Sequence, residues 1–193
     1  MKYLIAIIAI ALFCAGVSAQ KQKSIKPSSV YNQDGITVVS PDQAGWSLLK
    51  TDKSETAFEK RGGSDILNAG VKNIRTQALG TDKDRLVGWE ALKQEEFSKF
   101  RQDHLHFNYT KFKGSVCLLY DAIFPLEKTS SNTFAYFNVR GYLCSLSTAK
   151  DSAVQIEFSN HSNTRGFTED LLALGERFFE KLTFPSGGKK EKK

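Results

Sequence analysis

The chain has 193 residues and a formal net charge of +6. That length admits one domain with a real core. The positive excess sits at the two ends, in Lys2, Lys21, Lys23 and Lys26 and in Lys189, Lys190, Lys192 and Lys193, while the stretch between Ser29 and Ser186 is close to neutral, which excludes an extended basic face of the kind that binds nucleic acid.

The N-terminus reads MKYLIAIIAIALFCAGVSAQ. Lys2 precedes a short apolar run, and Val17-Ser18-Ala19 fits the small-x-small cleavage pattern before Gln20. The pattern is that of a secretory signal peptide over 1–19, too short for a comfortable membrane span. Cys14 raises a lipoprotein alternative, which Phe13 directly before it disfavours. The expected organisation is a signal peptide at 1–19, a flexible leader at 20–33, a single domain at 34–185 and a disordered lysine-rich tail at 186–193. The tail lysines read as a solubilising end, with weak contact to an anionic surface as the alternative. The expected location is exported, periplasmic or extracellular.

Short strands are expected at Gly35–Ser40, Gly45–Leu49 and Glu55–Lys60, with a turn at Arg61-Gly62-Gly63-Ser64. Ile66–Ala78 reads as a fourth strand, with Gly70 suggesting a bulge. Thr81 or Asp82 caps a helix running to about Arg101, whose apolar side is Leu86, Trp89, Leu92, Phe97 and Phe100. Asp103–Lys113 alternates as a half-buried strand. Ser115–Phe124 and Phe134–Leu146 follow as long strands joined by a polar connection, Pro125–Thr133. Ala149–Ser152 turns the chain, Ala153–Ser159 is a strand, and Asn160–Gly166 is a polar loop. Thr168 caps a last helix to about Leu182, with Glu169 and Asp170 favourable in its first turn. This order indicates an α+β fold, an antiparallel sheet of about six to eight strands with a helix packed on each face.

Two cysteines remain after processing, Cys117 and Cys144, an even number in an oxidising compartment. A bridge between them closes a loop of about 28 residues and contributes roughly 3–4 kcal/mol on a chain-entropy estimate. Two buried free thiols are the alternative.

The chemistry-bearing motifs are sparse. His104-x-His106 puts two imidazoles on one strand face, which can serve a metal if Asp103 and His161 add ligands; Asn108 and Thr110 on the same face make a solvated polar face the preferred explanation, and no metal or other cofactor is assigned. The segment Ser159–Arg165 lies between a strong strand and a capped helix, where loops often carry binding residues and where a helix N-terminus assisted by Arg165 can receive an anion. The candidate ligand-binding residues are Ser159, His161, Arg165 and Arg140. No G-x-S-x-G elbow, phosphate loop or Cys-x-x-Cys pair is present, and no catalytic residue is assigned.

Three stretches resemble a known group: Val39-Ser40-Pro41-Asp42-Gln43-Ala44-Gly45-Trp46, Gly141-Tyr142-Leu143-Cys144, and Ile156-Glu157-Phe158-Ser159 together with Glu176-Arg177-Phe178-Phe179-Glu180-Lys181-Leu182. They resemble small exported bacterial proteins without assigned activity. The element order resembles the PsbP-like α/β/α sandwich, whose members act mainly in binding and assembly. The resemblance carries no functional residue over. The expected function is a non-enzymatic exported binding or accessory protein, its partner a protein or small molecule. The alternatives are a small periplasmic hydrolase using His161 and Arg165 with a carboxylate such as Asp121, and an envelope-associated structural protein.

Overall fold

The computed structural model describes residues 23–76, 80–129, 133–146 and 149–185. The expected signal peptide and lysine tail lie outside the described residues.

The elements in order are β1 (Lys23–Ser24), β2 (Val30–Gln33), β3 (Ile36–Val39), β4 (Ser47–Thr51), β5 (Glu55–Gly62), β6 (Asp65–Arg75), α1 (Asp82–Ser98), β7 (His104–Phe112), β8 (Ser115–Pro125), β9 (Tyr136–Leu146), β10 (Ala149–Ser162) and α2 (Glu169–Glu180). Eight strands form one antiparallel sheet in the order β1-β4-β5-β6-β10-β9-β8-β7, and β2 pairs with β3 as a separate two-stranded sheet. Two meanders, β4–β6 and β7–β10, are joined through α1. The long β10 closes the sheet by lying between β9 and β6.

Local chemistry sets the turns. Asp34-Gly35 and Lys113-Gly114 both have positive φ at each position, as type I′ hairpin turns require. The Asp34-Gly35 signal lies at the edge of the stretch 20–33, read above as a leader with little structure; the described part of that stretch instead contributes β1 and β2. The bulge expected at Gly70 does not form, since β6 pairs without interruption with both β5 and β10 through that residue. The register shifts fall elsewhere, between Leu48 and Lys50 and between Ala149 and Ala153. Thr81 caps α1 in a reciprocal capping box with Asp84. Thr168 caps α2 by accepting from the Leu171 amide.

Side chains alternate between the two faces of the sheet. On one face, α2 and the β2–β3 hairpin bury Ile36, Val38, Leu174, Phe178 and Phe179 against Phe58, Ala69, Val71, Tyr142, Val154, Ile156 and Phe158. On the other, Leu86 and Trp89 of α1 pack on Leu118, Leu143 and Ala153, while Phe97 packs on Tyr120, Phe124 and Val139. Each large apolar side chain so buried contributes roughly 1.5–3 kcal/mol. Cys117 and Cys144 face each other directly on β8 and β9, with Cα atoms 4.1 Å apart, and form a disulfide within the first of these cores.

The expected sandwich, with a helix on each face in the PsbP-like manner, is overturned. The chain is α+β only coarsely: it is mostly β, an eight-stranded antiparallel sheet plus a two-stranded sheet, with two helices among the described residues. The reason is dimensional. Eight strands span about 34 Å, whereas a helix is about 10 Å across. One helix roofs a few strands and cannot make a layer. The β2–β3 hairpin packs beside α2, and on the opposite face β5, β6 and β10 carry Glu59, Arg61, Asn68, Ser159 and His161 alongside Ala57, Ile66, Ile74 and Ala153.

Candidate functional site

The register brings a polar set together on the α1 side of the sheet. Ser159 and His161 are two residues apart on β10, so they share a face. Ser159 lies opposite Asn68 of β6, which lies opposite Glu59 of β5; His161 lies opposite Ile66, which lies opposite Arg61. On the β9 side their neighbours are Val139 and Phe137. Glu59, Asn68, Ser159 and His161 are all buried, His161 being 7% exposed. Arg61 clasps Glu59 through its Nε at 2.6 Å and a terminal nitrogen at 3.0 Å, so the two charges neutralise each other.

The His161 ring stacks obliquely on Phe137 with centroids 4.8 Å apart and meets Phe134 at 6.0 Å. Both of its ring nitrogens are buried without a hydrogen-bond partner, and so is Oδ1 of Asn68. Burial pushes the His161 pKa below the ordinary histidine value, a shift that nearby Glu59 opposes and Arg61 reinforces. The ring is therefore neutral at pH 7, with one donor nitrogen and one acceptor nitrogen. The β8–β9 and β9–β10 ladders run one step past the strand ends, through Leu126 N to Ala135 O at 2.7 Å and Ala135 N to Ser162 O at 3.1 Å. Phe134, next in the chain to Ala135, meets the His161 ring. Of the polar connection Pro125–Thr133, residues 130–132 lie outside the described residues.

The adjoining row across the sheet is Tyr120, Gly141, Glu157, Gly70 and Ala57. Tyr120 reaches over Gly141 and donates to Glu157 Oε2 at 2.9 Å, and Gln155 donates to the same oxygen at 2.8 Å. Burial, and then the carboxylates of Glu157 and Glu96, push the Tyr120 pKa well above its ordinary value, so it stays a neutral donor. Lys93 of α1 is 1% exposed. Its Nζ lies 4.7 Å from the Tyr120 ring centroid and 3.0 Å from Glu96 Oε2. Lys93 and Glu96 form an ion pair across one turn of α1.

The structure separates the other candidates from Ser159 and His161. Arg140 lies on the opposite face, opposite Asp121 in the register, and pairs with Asp121 at 3.1 Å and with Glu176 of α2 at 3.0 Å. Arg165 follows β10 and pairs with Asp103 at 3.6 Å. Among the described residues no carboxylate is hydrogen-bonded to His161, and Asp121 and Arg165 are engaged with Arg140 and Asp103. The stretch expected to be a free loop is strand as far as Ser162. Its remainder is pinned from the α2 side: Asn138, fully buried, donates to Asn160 Oδ1 at 3.0 Å and to Thr164 O at 3.3 Å and accepts from Gly166 N at 2.9 Å. His104 and His106 stack on edge strand β7 with centroids 6.5 Å apart. Among the described residues no three His, Cys, Asp or Glu side chains are grouped to hold a metal ion.

Glu59, Arg61, Asn68 and Phe137 were not singled out from the sequence. Polar residues in alternating strands read as solvated faces, and only the order β5-β6-β10-β9 reveals that these share a buried one. No protein-family model and no curated protein matches the chain. One solved structure, the protein PA94 of unknown function from Pseudomonas aeruginosa, is similar at 15% identity and a TM-score of 0.44, covering 80% of this chain and 92% of that one. Nothing in these comparisons supports a PsbP-like relation.

Proposed function

We propose that the protein is an exported, non-enzymatic binding or accessory protein that holds a small ligand against the sheet face carrying Ser159 and His161. The observation behind this reading is the set of unpartnered polar atoms there, His161 Nδ1 and Nε2 and Asn68 Oδ1. A buried polar group left without a hydrogen bond costs about 1–3 kcal/mol. A ligand that completes these bonds removes that cost, so its binding has a driving force already built into the fold. The export half of the reading rests on Lys2, the apolar run and Val17-Ser18-Ala19. Resemblance to small exported bacterial proteins belongs to the same reading, as does weak contact of the lysine ends with anionic surfaces.

Native mass spectrometry of protein recovered from the exported fraction tests both halves. The expected result is a chain beginning at Gln20 with a bound small molecule that His161→Phe releases. Absence of the chain from the exported fraction refutes export, and a recovered chain still carrying Met1 refutes cleavage after Ala19. Ligand retained equally by His161→Phe refutes the site. In thermal titration, a ligand at a hundredfold excess over its Kd stabilises the folded protein by about 2.7 kcal/mol.

A further inference from the structure

We infer that the free edge of the sheet, strand β7, docks onto β7 of a second copy of this chain, joining two sheets across a two-fold axis at Asn108. This surface is separate from the ligand reading above and uses other residues.

The edge is long and open. β7 pairs with β8 at all nine of its residues, His104–Phe112, without a register shift. It stands last in the strand order, so among the described residues no strand pairs with its outer side. The backbone N–H and C=O groups on that side form a template for another strand, which natural edges blunt by brevity, proline, a bulge or lysine. β7 has no proline and no bulge, and its one lysine, Lys111, stands next to its end. The opposite edge of the sheet, β1, has two residues, Lys23 and Ser24. That edge is too short to receive β7 in a head-to-tail chain, so the matching partner is β7 itself in a closed pair.

Register supplies the complementarity. Residues directly opposed in an antiparallel pair put their side chains on one face. A second copy turned about an axis normal to the sheet keeps α1 on the same side, and pairing all nine residues sets Asn108 opposite Asn108. The other opposed pairs are then Phe107 with Tyr109, His106 with Thr110, Leu105 with Lys111 and His104 with Phe112. Aromatic meets aromatic twice on the α1 face. Polar meets polar at His106, Asn108 and Thr110 on the other, and no charged side chain meets its like.

The surface beside the edge has the same character. Tyr109 is 46% exposed and Val87 is 52% exposed, unusual for large apolar side chains of this chain. Tyr109 donates to the Glu90 carboxylate of α1, and Val87, three residues before Glu90, lies on the same side of that helix. Both flank the seam, where a second copy covers them.

Analytical ultracentrifugation of the purified chain tests the pairing. The expected result is a dimer that dissociates on dilution. Asn108→Asp sets two carboxylates face to face on the axis and should raise the dissociation constant about tenfold at low ionic strength. Its circular dichroism should stay that of the parent, because Asn108 is exposed in the single chain. Asn108→Thr, neutral and favourable in a strand, should keep the dimer. Cross-linking reads the register. In a Cys14→Ser background, Asn108→Cys should oxidise to a covalent dimer, since directly opposed Cα atoms stand about 4.5–5.5 Å apart, within disulfide reach. Lys111→Cys should not, because its opposite number is Leu105. A parent that stays monomeric as concentration rises overturns the inference and leaves the edge to an extended peptide of another protein. A dimer that Asn108→Asp does not weaken, or that Lys111→Cys cross-links as readily as Asn108→Cys, overturns it as well.

Discussion

Gly141 is the position where one added methyl group should do the most damage for its size. A Cβ built there would stand 2.5 Å from Tyr120 Oη, 2.6 Å from Tyr120 Cζ and 2.6 Å from the carbonyl oxygen of Ile156. The first two atoms belong to a fully buried ring, and the third to the backbone of the central strand β10, so none yields cheaply. Gly141→Ala must displace Tyr120 or part β9 from β10. Overpacking of this kind costs about 1–3 kcal/mol, and losing the Tyr120 hydrogen bond to the Glu157 carboxylate adds about 1.5–3 kcal/mol. The sum, about 2.5–6 kcal/mol, lowers Tm by roughly 5–24 °C for a domain of this size. Urea unfolding followed by fluorescence of Trp46 and Trp89, with the disulfide intact, measures it. The double variant Gly141→Ala/Tyr120→Leu removes both ring atoms that the methyl meets, so its loss should fall short of the sum of the single losses by about 1 kcal/mol. A Gly141→Ala protein within about 0.5 kcal/mol of the parent, or strict additivity in the double variant, would refute the packing argument.

Three further outcomes are expected. Because His161 has a lowered pKa in the fold, the unfolded chain takes up a proton that the folded chain refuses; stability is full above about pH 6.5 and declines as pH falls below that value, at up to about 1.4 kcal/mol per unit until the folded ring itself protonates. His161→Phe should flatten that limb of the stability–pH curve, and an unchanged slope would contradict the burial of the ring. Replacing Cys117 and Cys144 together by Ala should cost about 3–4 kcal/mol in chemical denaturation, with the parent giving one linked peptide pair in non-reducing mass spectrometry. Glu96→Gln removes the counter-charge of the buried Lys93 and should cost about 3 kcal/mol, whereas Lys93→Met with Glu96→Gln should recover most of that loss; equal losses in both variants would show that the ion pair is not what matters.

Legibility varied by element. Both helices could be read because each joins a capping threonine, Thr81 or Thr168, to an apolar stripe with helical spacing. The β5–β6 and β7–β10 strands could be read from alternation and turn residues. The β2–β3 hairpin was missed although Asp34-Gly35 announces it, because the polar residues before it weighed more than the turn. Gly70 misled in the other direction. A glycine inside a strand suggests a bulge, but here it lies in the unbroken row of Tyr120, Gly141, Glu157 and Ala57. The end of β10 was read as loop because Asn160, His161 and Ser162 are polar. It is strand because Asn138 supplies the hydrogen bonds that let Asn160 be buried.

The candidate residues show the same division. Ser159 and His161 could be picked out as chemically capable, and their spacing alone put them on one side of a strand. Arg140 and Arg165 looked equally capable, yet strand register turns Arg140 to the other face and ion pairing commits Arg165 to Asp103. Glu59, Arg61 and Asn68 join His161 only through pairings that span more than 90 residues of chain.

What the sequence determined by itself is local: caps, turns, strand alternation, and the single pairing open to Cys117 and Cys144 once Cys14 is set aside. These depend on residues near one another in the chain, where side-chain type constrains the backbone directly. What only the tertiary structure decided is the strand order, the cover on each face and the partners of each buried polar group. Antiparallel strands with the same alternation are interchangeable in local terms; the order β5-β6-β10-β9 is selected by which faces pack and which charges pair across the whole molecule. The unpartnered nitrogens of His161 exist only in that arrangement, because a hydrogen bond left unmade is a property of everything around the ring.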